Sequence, residues 1–378
     1  MKVAFFSTIL NHHQIEFCDE MYALYGENFS FVSTMEMEEQ RKKLKYPEYE
    51  RPYKIKMHKS EEEKLKGEKL FQEADVVILG VLMEKALRKR LRAGKVTFLY
   101  KERLFKEKPD FIKYFRSLLY SIKEYWPYKS KPFYMLAASA YSHQDFKSLG
   151  IFGKKTFAWG YFPPLKEYQE DILMNGKESE MLKIFWAGRL IEWKNPNYLI
   201  DVARTLKSNN IDFQIDIVGN GSLEDDLKKI VAENGLDNEI VFRGAMPQEN
   251  VREYMEKANI YLFTSNREEG WGAVLNEAMN SGCAVVASET AGATNILISD
   301  GINGRVYKND SADELCNIVL ELAKNPGKIR ELGLNAYKTM LNEQNAKVAA
   351  ERFSAVSEAI LEERDLPEYA TGPMKKIR

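Results

Sequence analysis

The sequence predicts an α/β protein made of two Rossmann-like domains and a C-terminal helical segment. Three observations support this fold class. Apolar strand-like runs alternate with amphipathic helical segments along most of the chain. A polar stretch with adjacent prolines interrupts the alternation near the middle, and the run from about 328 to 366 has no strand pattern. A length of 378 residues also suits two domains.

The first half of the chain is predicted to be a series of buried strands with intervening helices. The first helix is expected at EFCDEMYALYG, after the first strand and a short loop. Strands are predicted at KVAFFST, FSFVST, DVVILG, KVTFLY, FYMLAAS and KTFAW. Short apolar runs of this kind are typical of strands that are buried on both faces of a parallel sheet. Residues 1–165 are therefore assigned to an N-terminal Rossmann-like domain.

The second half repeats this alternation after a predicted linker at about 166–180. Its strands are expected at LKIFWAG, FQIDIVG, EIVFRG, NIYLFTS, CAVVAS and GRVY. Its helices are expected at PNYLIDVARTLKSN, SLEDDLKKIVAENG, ENVREYMEKA and AVLNEAMNSG. Residues 181–349 thus form a second Rossmann-like domain, and a helix at about 350–378 is expected to pack back on the first. Two such domains facing each other would form an interdomain cleft at the carboxyl ends of their strands.

Composition excludes several classes of protein. The formal net charge of -1 and the lack of a recognition motif argue against nucleic-acid binding. The three cysteines, Cys18, Cys283 and Cys316, are widely spaced, which favours a reducing compartment over a disulfide framework. The four histidines do not show the spacing of a metal site, so no metal is expected. No run approaches the roughly 20 apolar residues of a membrane span. The N-terminus lacks a signal cleavage site, and a cytoplasmic protein is predicted.

Cationic residues follow the first strand of the second domain. In AGRLIEWKNP the strand ends at Gly188, and Arg189 and Lys194 come before a helix start at Pro196. Two cations at this edge of a parallel sheet would suit a doubly charged anion such as a diphosphate. The alternative is that both are solvated surface cations. In IVGNGSLEDD, Gly219 likewise permits either a close ligand approach or a tight turn, because the third glycine of a dinucleotide fingerprint is missing.

Two carboxylates flank a glycine-containing turn in REEGWGAVLNEAMNSG. Gly270, Trp271 and Gly272 precede a helix that is predicted to begin near Ala273. Glycines permit close backbone approach, and the free N–H groups of a helix start suit a pyrophosphate. Glu277 can accept two hydrogen bonds from ribose hydroxyls, and Glu269 can accept those of a second sugar. The alternative is a helix-capping acid at Glu269 and a surface charge at Glu277.

These two segments resemble the retaining GT-B glycosyltransferases of family 4, also called glycosyl transferases group 1. EGWGAVLNEAMNSGCAVVAS resembles their E-x7-E region, and AGRLIEWKNP resembles their Gly-Arg-Leu…Lys segment. IVGNGSLEDDL and VFRGAM are similar to the next two strand ends. The resemblance is strong over residues 181–330 and loose in the N-terminal half. It implies a GT-B fold, with acceptor binding in the N-terminal domain and donor binding in the C-terminal domain.

The resemblance also implies an activity, namely sugar transfer from a UDP- or GDP-linked donor to a glycan or lipid-linked acceptor in surface polysaccharide biosynthesis. Retention without a covalent intermediate, a metal or another cofactor is implied. Glu269, Arg189 and Lys194 would be catalytic, with Arg189 and Lys194 holding the diphosphate. The implied donor-binding residues are Gly188, Arg189, Lys194, Gly219, Gly244, Ala245, Met246, Glu269, Gly270, Trp271, Gly272, Ala273 and Glu277.

The chain departs from the family pattern at two places. Ala293 and Asn295 stand where a second glycine and an acidic residue are common, and Glu102 and Arg103 stand where the first domain often offers a histidine. Attention therefore shifts to the loop Asn11, His12 and His13, which follows the first strand. Its histidines resemble the base of some inverting GT-B enzymes, and His13 is the preferred catalytic residue. The alternative is a polar loop that caps the helix.

The first domain also contains two basic segments. EKALRKRLRAGK holds six cations, and DFIKYFRSLLYSIKEYW interleaves cations with aromatic and aliphatic residues. Such a pattern is typical of helices that lie on an anionic membrane, which would make the protein peripheral on the inner face. The alternative is a core-facing helix with a solvated outer side.

Two other functions stay open at the level of sequence. One is another GT-B activity on sugar nucleotides, such as an epimerase or a phosphorylase. The other is a non-catalytic protein that binds a nucleotide sugar.

Overall fold

The computed structural model describes residues 1–37, 48–308 and 311–377, which divide into two compact units. The first unit comprises Met1–Pro164 and Gln344–Arg378, and the second comprises Leu165–Glu343. Each described unit has one sheet whose named strands are parallel apart from a short terminal strand. This confirms the predicted class, two Rossmann-like α/β domains with C-terminal helices.

The first unit has an eight-stranded sheet in its described residues, in the order β14-β7-β6-β5-β4-β1-β2-β3. The strands are β1 (Val3–Ser7), β2 (Phe29–Ser33), β3 (Lys54–Lys56), β4 (Val76–Leu79), β5 (Val96–Lys101), β6 (Phe133–Ala137), β7 (Thr156–Ala158) and β14 (Lys376–Ile377). The helices are α1 (Ile15–Tyr25), α2 (Glu61–Glu73), α3 (Glu84–Arg92), α4 (Phe111–Glu124), α5 (Ser142–Ser148) and, late in the chain, α14 (Ala346–Leu361). The strand β3 has no counterpart among the predicted strands.

The second unit has a six-stranded parallel sheet in the order β10-β9-β8-β11-β12-β13. The strands are β8 (Leu182–Ala187), β9 (Phe213–Val218), β10 (Ile240–Gly244), β11 (Ile260–Phe263), β12 (Ala284–Ser288) and β13 (Arg305–Tyr307). The helices are α6 (Glu170–Asn175), α7 (Tyr198–Ser208), α8 (Glu224–Glu233), α9 (Gln248–Lys257), α10 (Ala273–Asn280), α11 (Thr294–Leu297), α12 (Ala312–Ala323) and α13 (Pro326–Asn342).

The helix α14 belongs to the core of the first unit. Its Phe353 is fully buried, with its ring centroid 5.0 Å from that of Phe98 in β5 and 6.1 Å from that of Phe17 in α1. The chain therefore returns to the first unit after completing the second. The predicted helix at about 350–378 is wrong beyond Leu361, because Lys376 and Ile377 instead pair antiparallel with β7.

The predicted linker at 166–180 is also different in the structure. It contains α6, and Leu173 and Met174 of this helix pack around Tyr337 in the core of the second unit. Lys177 is buried, and its Nζ donates to the carbonyl oxygens of Met255 and Ala258 at 2.8 and 2.7 Å. Polar composition suggested an exposed connection, but long-range packing makes this stretch part of the second unit.

Candidate functional site

The strand order of the second unit reverses between β8 and β11. From β8 the chain adds β9 and β10 on one side, and β11, β12 and β13 then extend the sheet on the other. Ligands of open α/β sheets bind outside the carboxyl ends of the strands at such a switch point. Arg189 and Lys194 follow β8, whereas residues 269–272 follow β11. The two segments singled out in the sequence therefore lie on either side of the switch point.

A direct ion pair joins the two segments. Lys194 Nζ lies 2.5 Å from Glu269 Oε2, and the two side chains are only 12% and 13% exposed. Ser265 Oγ donates to the same carboxylate oxygen at 3.1 Å. The sequence predicts Lys194 at a diphosphate and Glu269 at a sugar, as separate sites. The structure links them, because one proton of the ammonium is directed to Glu269 and its other two can be donated elsewhere.

The side chain of Trp193 lies close to both cations that follow β8. Its ring centroid is 5.7 Å from the Arg189 guanidinium carbon and 4.6 Å from Lys194 Nζ, both within the range of cation–π attraction. The carbonyl oxygen of Trp193 also accepts a hydrogen bond from Asn266 N at 2.8 Å, which fixes the loop after β8 to the loop after β11. Arg189 itself is exposed, so its guanidinium is accessible to a ligand.

The turn before α10 requires glycine at position 272. Gly272 has a φ of 94°, and a Cβ built there would lie 2.2 Å from Cζ of Phe263. Gly272 is also the N-cap of α10, whose first residue is Ala273, and it supplies no side chain to cap the helix. The preceding backbone is held by hydrogen bonds from Gly292 N to Glu269 O and from Ala293 N to Trp271 O. A rigid turn thus presents backbone N–H groups at a helix start.

Trp271 does not lie at the surface of this turn. Its side chain is 1% exposed, and its Nε1 donates to Asn276 Oδ1 at 2.9 Å. The prediction that Trp271 helps to bind a donor therefore extends at most to its backbone. Gly270 is likewise buried.

Glu277 is buried rather than a surface charge. Gln248 Nε2, at the start of α9, donates to Glu277 Oε1 at 2.5 Å. Burial raises the pKa of Glu277 above its ordinary value, although the nearby Arg252 and the hydrogen bond from Gln248 act in the opposite direction. The structure therefore rejects the sequence alternative of an exposed helix charge. A buried carboxylate held by an amide is suited to fixed hydrogen bonding with a neutral hydroxyl.

The glycines at the ends of β8 and β9 are explained by backbone packing. Gly219 has a φ of 134°, and a Cβ there would lie 1.8 Å from the carbonyl oxygen of Gly188. A Cβ at Gly221 would lie 2.2 Å from the carbonyl oxygen of Leu190, whose N–H donates to Asn220 O at 2.8 Å. Gly219 and Gly221 thus allow close contact between the loops after β8 and β9. The sequence alone predicts only a ligand approach or a tight turn at this place.

The end of β10 is open to solvent. Gly244 has a φ of 69°, and no atom lies within 4 Å of the place that a Cβ would take there. It follows an irregularity in the pairing with β9. Ala245 is exposed and Met246 is partly exposed. These three residues lie two strands away from β8 and offer an accessible backbone at the same sheet edge.

The histidine loop of the first unit is held by an aromatic stack. The rings of His13 and Tyr161 are parallel within 6°, with centroids 3.8 Å apart, and His13 O accepts from Phe162 N at 3.0 Å. His12 meets His13 edge to face at 5.0 Å. The carbonyl oxygen of Asn11 accepts from the N–H groups at the start of α1, so the loop does help to begin this helix.

Tyr161 links this loop to the end of β5. Its hydroxyl donates a short hydrogen bond to Glu102 Oε1. Burial, with Tyr100 and Glu102 nearby, raises the pKa of Tyr161 well above its usual value, so the phenol keeps its proton. The structure thus brings together His13, Tyr161 and Glu102, and Glu102 stands where the first domain of the family often has a histidine.

Metal ligands are not grouped anywhere in the described ranges 1–37, 48–308 and 311–377. No set of three or more histidine, cysteine, aspartate or glutamate side chains is arranged there to hold an ion. Within the same ranges, no helix is long and apolar enough to cross a bilayer.

The second unit defines the class of protein. Residues 169–339 match the family model described as glycosyl transferases group 1, so this segment belongs to that family, as its motifs predicted. The chain superimposes on Anabaena Alr3699/HepE in complex with UDP with a TM-score of 0.66 and 17% identity, covering 96% of this chain and 100% of that chain. The lipopolysaccharide outer core galactosyltransferase WaaB gives a TM-score of 0.60 at 18% identity, covering 90% and 99%. These likenesses show a GT-B fold.

Individual relatives match somewhat less than half of this chain. The amylovoran biosynthesis glycosyltransferase AmsK of Erwinia amylovora is 30% identical over 184 residues, which are 47% of this chain and 45% of AmsK. The poly(ribitol-phosphate) alpha-N-acetylglucosaminyltransferase of Staphylococcus aureus is 23% identical over 167 residues, covering 44% and 33%. The chain spans about half the length or less of these curated relatives.

Sequence reasoning missed several residues that shape the site. Trp193 contacts both cations, Ser265 and Gln248 each hold one of the two glutamates, and Tyr161 holds His13. Trp193 stands inside the segment AGRLIEWKNP, so its position beside Lys194 was a usable signal. Gln248 and Tyr161 carry no such signal, because each reaches its partner from a different part of the chain.

Proposed function

We propose that this protein is a retaining glycosyltransferase that moves a sugar from a nucleoside-diphosphate sugar to a hydroxyl of a glycan or lipid-linked acceptor. The observation that carries the proposal is the pair Lys194–Glu269 beside Arg189 and the α10 helix start, at the switch point of a group 1 family domain. The names of AmsK and of the S. aureus relative support surface polysaccharide or related polymer biosynthesis as its setting.

The diphosphate is the natural ligand of the cationic side of this site. Cleavage of the bond to the sugar adds a further negative charge to the terminal phosphate of the diphosphate, so catalysis benefits from cations that are already in place. Arg189 is exposed, and Lys194 has protons to donate besides the one directed to Glu269. The N–H groups at the start of α10 add positive potential. Together these groups would stabilise the leaving group.

The nucleoside would extend from the diphosphate across the second unit. Glu277, which is buried and accepts a hydrogen bond from Gln248, would accept hydrogen bonds from ribose hydroxyls. Gly244, Ala245 and Met246 offer an open backbone for the base. The UDP in the HepE complex supports a uracil base, although a GDP-linked donor has the same diphosphate chemistry.

Glu269 would contact the transferred sugar and position Lys194 at the same time. Its Oε2 is engaged by Lys194 and Ser265, which leaves Oε1 to accept from a sugar hydroxyl. This arrangement accounts for a carboxylate beside a site for anions, because the ion pair offsets its charge. In the first unit, the loop Asn11–His13 would bind acceptor or sugar hydroxyls, with His13 oriented by Tyr161.

A panel of nucleotide sugars tests the proposal directly. We expect release of nucleoside diphosphate from one donor only when a hydroxyl acceptor is present. Isomerisation of the sugar without an acceptor would instead identify an epimerase, and release of a sugar phosphate with inorganic phosphate would identify a phosphorylase. Binding of a nucleotide sugar without turnover of any member of the panel would identify a non-catalytic nucleotide-sugar-binding protein.

The variant Glu269→Gln tests the site itself. Turnover should fall about 100-fold or more, in the range found for loss of one electrostatic catalytic group, while calorimetric affinity for the free nucleoside diphosphate changes much less. The neighbouring Glu268→Gln is the matched control, because it removes the same charge one residue away. Equal turnover by the two variants would reject a sugar-contact role for Glu269.

A further inference from the structure

The helix α4 carries an apolar face that the rest of the chain leaves exposed. Its inner residues pack on the first unit, where Tyr114 and Leu118 join the core and Ser121 is buried. Its outer apolar residues are between 39% and 81% exposed, and they comprise Phe111, Ile112, Phe115, Leu119 and Ile122. A helix of an ordinary soluble domain has one apolar side, facing the core. In α4 the apolar arc continues past the core-facing residues onto the exposed side of the helix.

The outer residues form one continuous stripe. At 100° per residue, they fall within an arc of about 100° on the helix surface. Phe111 and Phe115 stack within this stripe, with parallel rings 6.1 Å apart. Trp126, which begins the 3₁₀ turn Trp126–Tyr128 after α4, is 39% exposed and extends the apolar surface. We call these six residues the outer stripe. Contiguous exposed apolar surface of this kind marks a binding face.

The charges around the outer stripe are almost all positive. Between residues 111 and 131 there are five cations, Lys113, Arg116, Lys123, Lys129 and Lys131, and a single carboxylate, Glu124. The Glu124 side chain is 4% exposed and accepts two hydrogen bonds from Arg88 in α3. It therefore presents no negative charge to solvent at this surface. On the helical projection, Lys123 and Arg116 border one edge of the outer stripe.

Neighbouring elements do not reverse this balance. Glu84 of α3 accepts from Tyr120 OH, and Asp110 caps α4 by accepting from Lys113 N. Lys85, Lys89 and Arg92 on the same α3 helix are exposed.

A lysine-lined hollow adjoins one end of the outer stripe. Lys129 Nζ lies 3.8 Å from the centroid of the Trp126 ring, and Lys129 also lines a cavity of about 450 Å³ together with Lys147 and Lys154. Lys155 lines it too, but its Nζ donates to two carbonyl oxygens. The hollow precedes β6 and β7, at the opposite sheet edge from the histidine loop. It extends the positive surface beyond the helix.

We infer that the outer stripe of α4 inserts into the interfacial region of an anionic lipid bilayer. Aromatic and aliphatic residues with lysines and arginines along their edge match the headgroup and acyl boundary of such a membrane. A second copy of this chain fits less well, because a symmetric contact would bring two cationic borders together. Membrane attachment would hold the enzyme beside lipid-linked acceptors, but the inference depends only on α4 and not on the proposed reaction.

Vesicle sedimentation of the full chain tests the inference. Vesicles of phosphatidylcholine with 30% phosphatidylglycerol are compared with pure phosphatidylcholine, at low and high salt. The apolar test variant is Phe115→Ser with Leu119→Ser, and its matched control is Ile172→Ser with Ile302→Ser, two exposed apolar residues of the second unit. Because all four side chains are exposed, these variants should fold, which circular dichroism checks.

Charge is tested in parallel with neutral substitutions. The variant Arg116→Gln with Lys123→Gln is compared with Lys66→Gln and Lys69→Gln, which remove two exposed cations of α2. Each cation near an anionic surface contributes a factor of about five, so the α4 variant should lose about thirtyfold in partitioning. The apolar variant should lose at least about tenfold. Both control variants should bind like the wild type, and high salt should weaken wild-type binding.

Three results would overturn the inference. The first is that the wild type binds neutral and anionic vesicles equally. The second is that the two α4 variants bind vesicles as strongly as the wild type. The third is that ultracentrifugation shows a wild-type dimer, which the double substitution Phe115→Ser with Leu119→Ser dissociates. The last result would assign the outer stripe to a second copy. Turnover with a soluble acceptor is independent of each result, so failure of the membrane inference and failure of the proposed function can be told apart.

Discussion

Breaking the ion pair between Lys194 and Glu269 should destabilise the second unit far more than breaking a surface pair. The two charged atoms are 2.5 Å apart, and each side chain is about one-eighth exposed. At an effective dielectric constant of roughly 20, their attraction is about 7 kcal/mol before desolvation is subtracted. Desolvation of both ions offsets much of this attraction. Removal of one partner, however, leaves the other charge buried without compensation.

The variant Lys194→Met should therefore lower the free energy of unfolding by about 3 kcal/mol. Glu269 would then keep the hydrogen bond from Ser265 but lose its counter-ion. Glu269→Gln should cost about 1–2 kcal/mol, because the amide oxygen can still accept from Lys194. The double variant should cost clearly less than the sum of the single variants, with a coupling energy of at least about 2 kcal/mol.

Urea unfolding of the four proteins gives this coupling energy, provided that the slope against urea concentration stays constant. The pair Arg204–Asp201 in α7 is the control, because its atoms are 3.2 Å apart in the same unit but its side chains are 49% and 37% exposed. Its coupling should stay below about 1 kcal/mol. If the double variant loses the sum of the two single-variant losses to within about 0.5 kcal/mol, a coupled buried pair at Lys194 and Glu269 is refuted.

Two further substitutions probe the same unit. Glu277→Gln should weaken calorimetric binding of the nucleoside diphosphate but stabilise the fold by about 1 kcal/mol at neutral pH. Because burial raises the pKa of Glu277, the wild type loses stability as the pH rises from the ordinary value of 4.5 through the raised one. The melting temperature of Glu277→Gln should thus exceed that of the wild type at neutral pH but not at low pH. A difference that stays constant with pH would contradict this reasoning. Gly272→Ala should cost more than about 2 kcal/mol and abolish donor binding, because its Cβ would overlap Phe263. Gly235→Ala, with a φ of 58° and open space around it, should cost only about 1–2 kcal/mol, and equal losses would show that the overlap is relieved.

The cationic run of the first domain shows where local sequence misleads. Arg90 stands among six cations in residues 85–95, yet it is fully buried. Its guanidinium donates to the carbonyl oxygens of residues 71, 74, 75 and 96 and to the hydroxyl of Thr97. Burial lowers the pKa of Arg90 to about 10, so it remains protonated at neutral pH. Arg90 is buried, unlike the cations next to it in the sequence, because those carbonyl oxygens surround its position. They belong to other elements, so the local sequence does not indicate them.

The strands and helices of both domains were predictable because their signals are local. Buried strands are continuous apolar runs, and amphipathic helices repeat with a period of 3.6 residues, so neighbours in sequence carry the information. The same holds for the helix start at Gly272 and Ala273 and for the group 1 motifs around Glu269 and Glu277. The sequence alone therefore established the two-domain class and the segments that form the candidate site.

Tertiary structure decided what those segments do to one another. Lys194 and Glu269 are 75 residues apart and meet only because β8 and β11 are adjacent in the sheet. Burial likewise separates Trp271, which belongs to the core, from Arg189, which is open to ligands. The outer stripe of α4 is a further example, because the sequence shows its apolar and cationic residues but not that they are exposed. Pairing and burial depend on distances between elements remote in the chain, and no local pattern of residues encodes those distances.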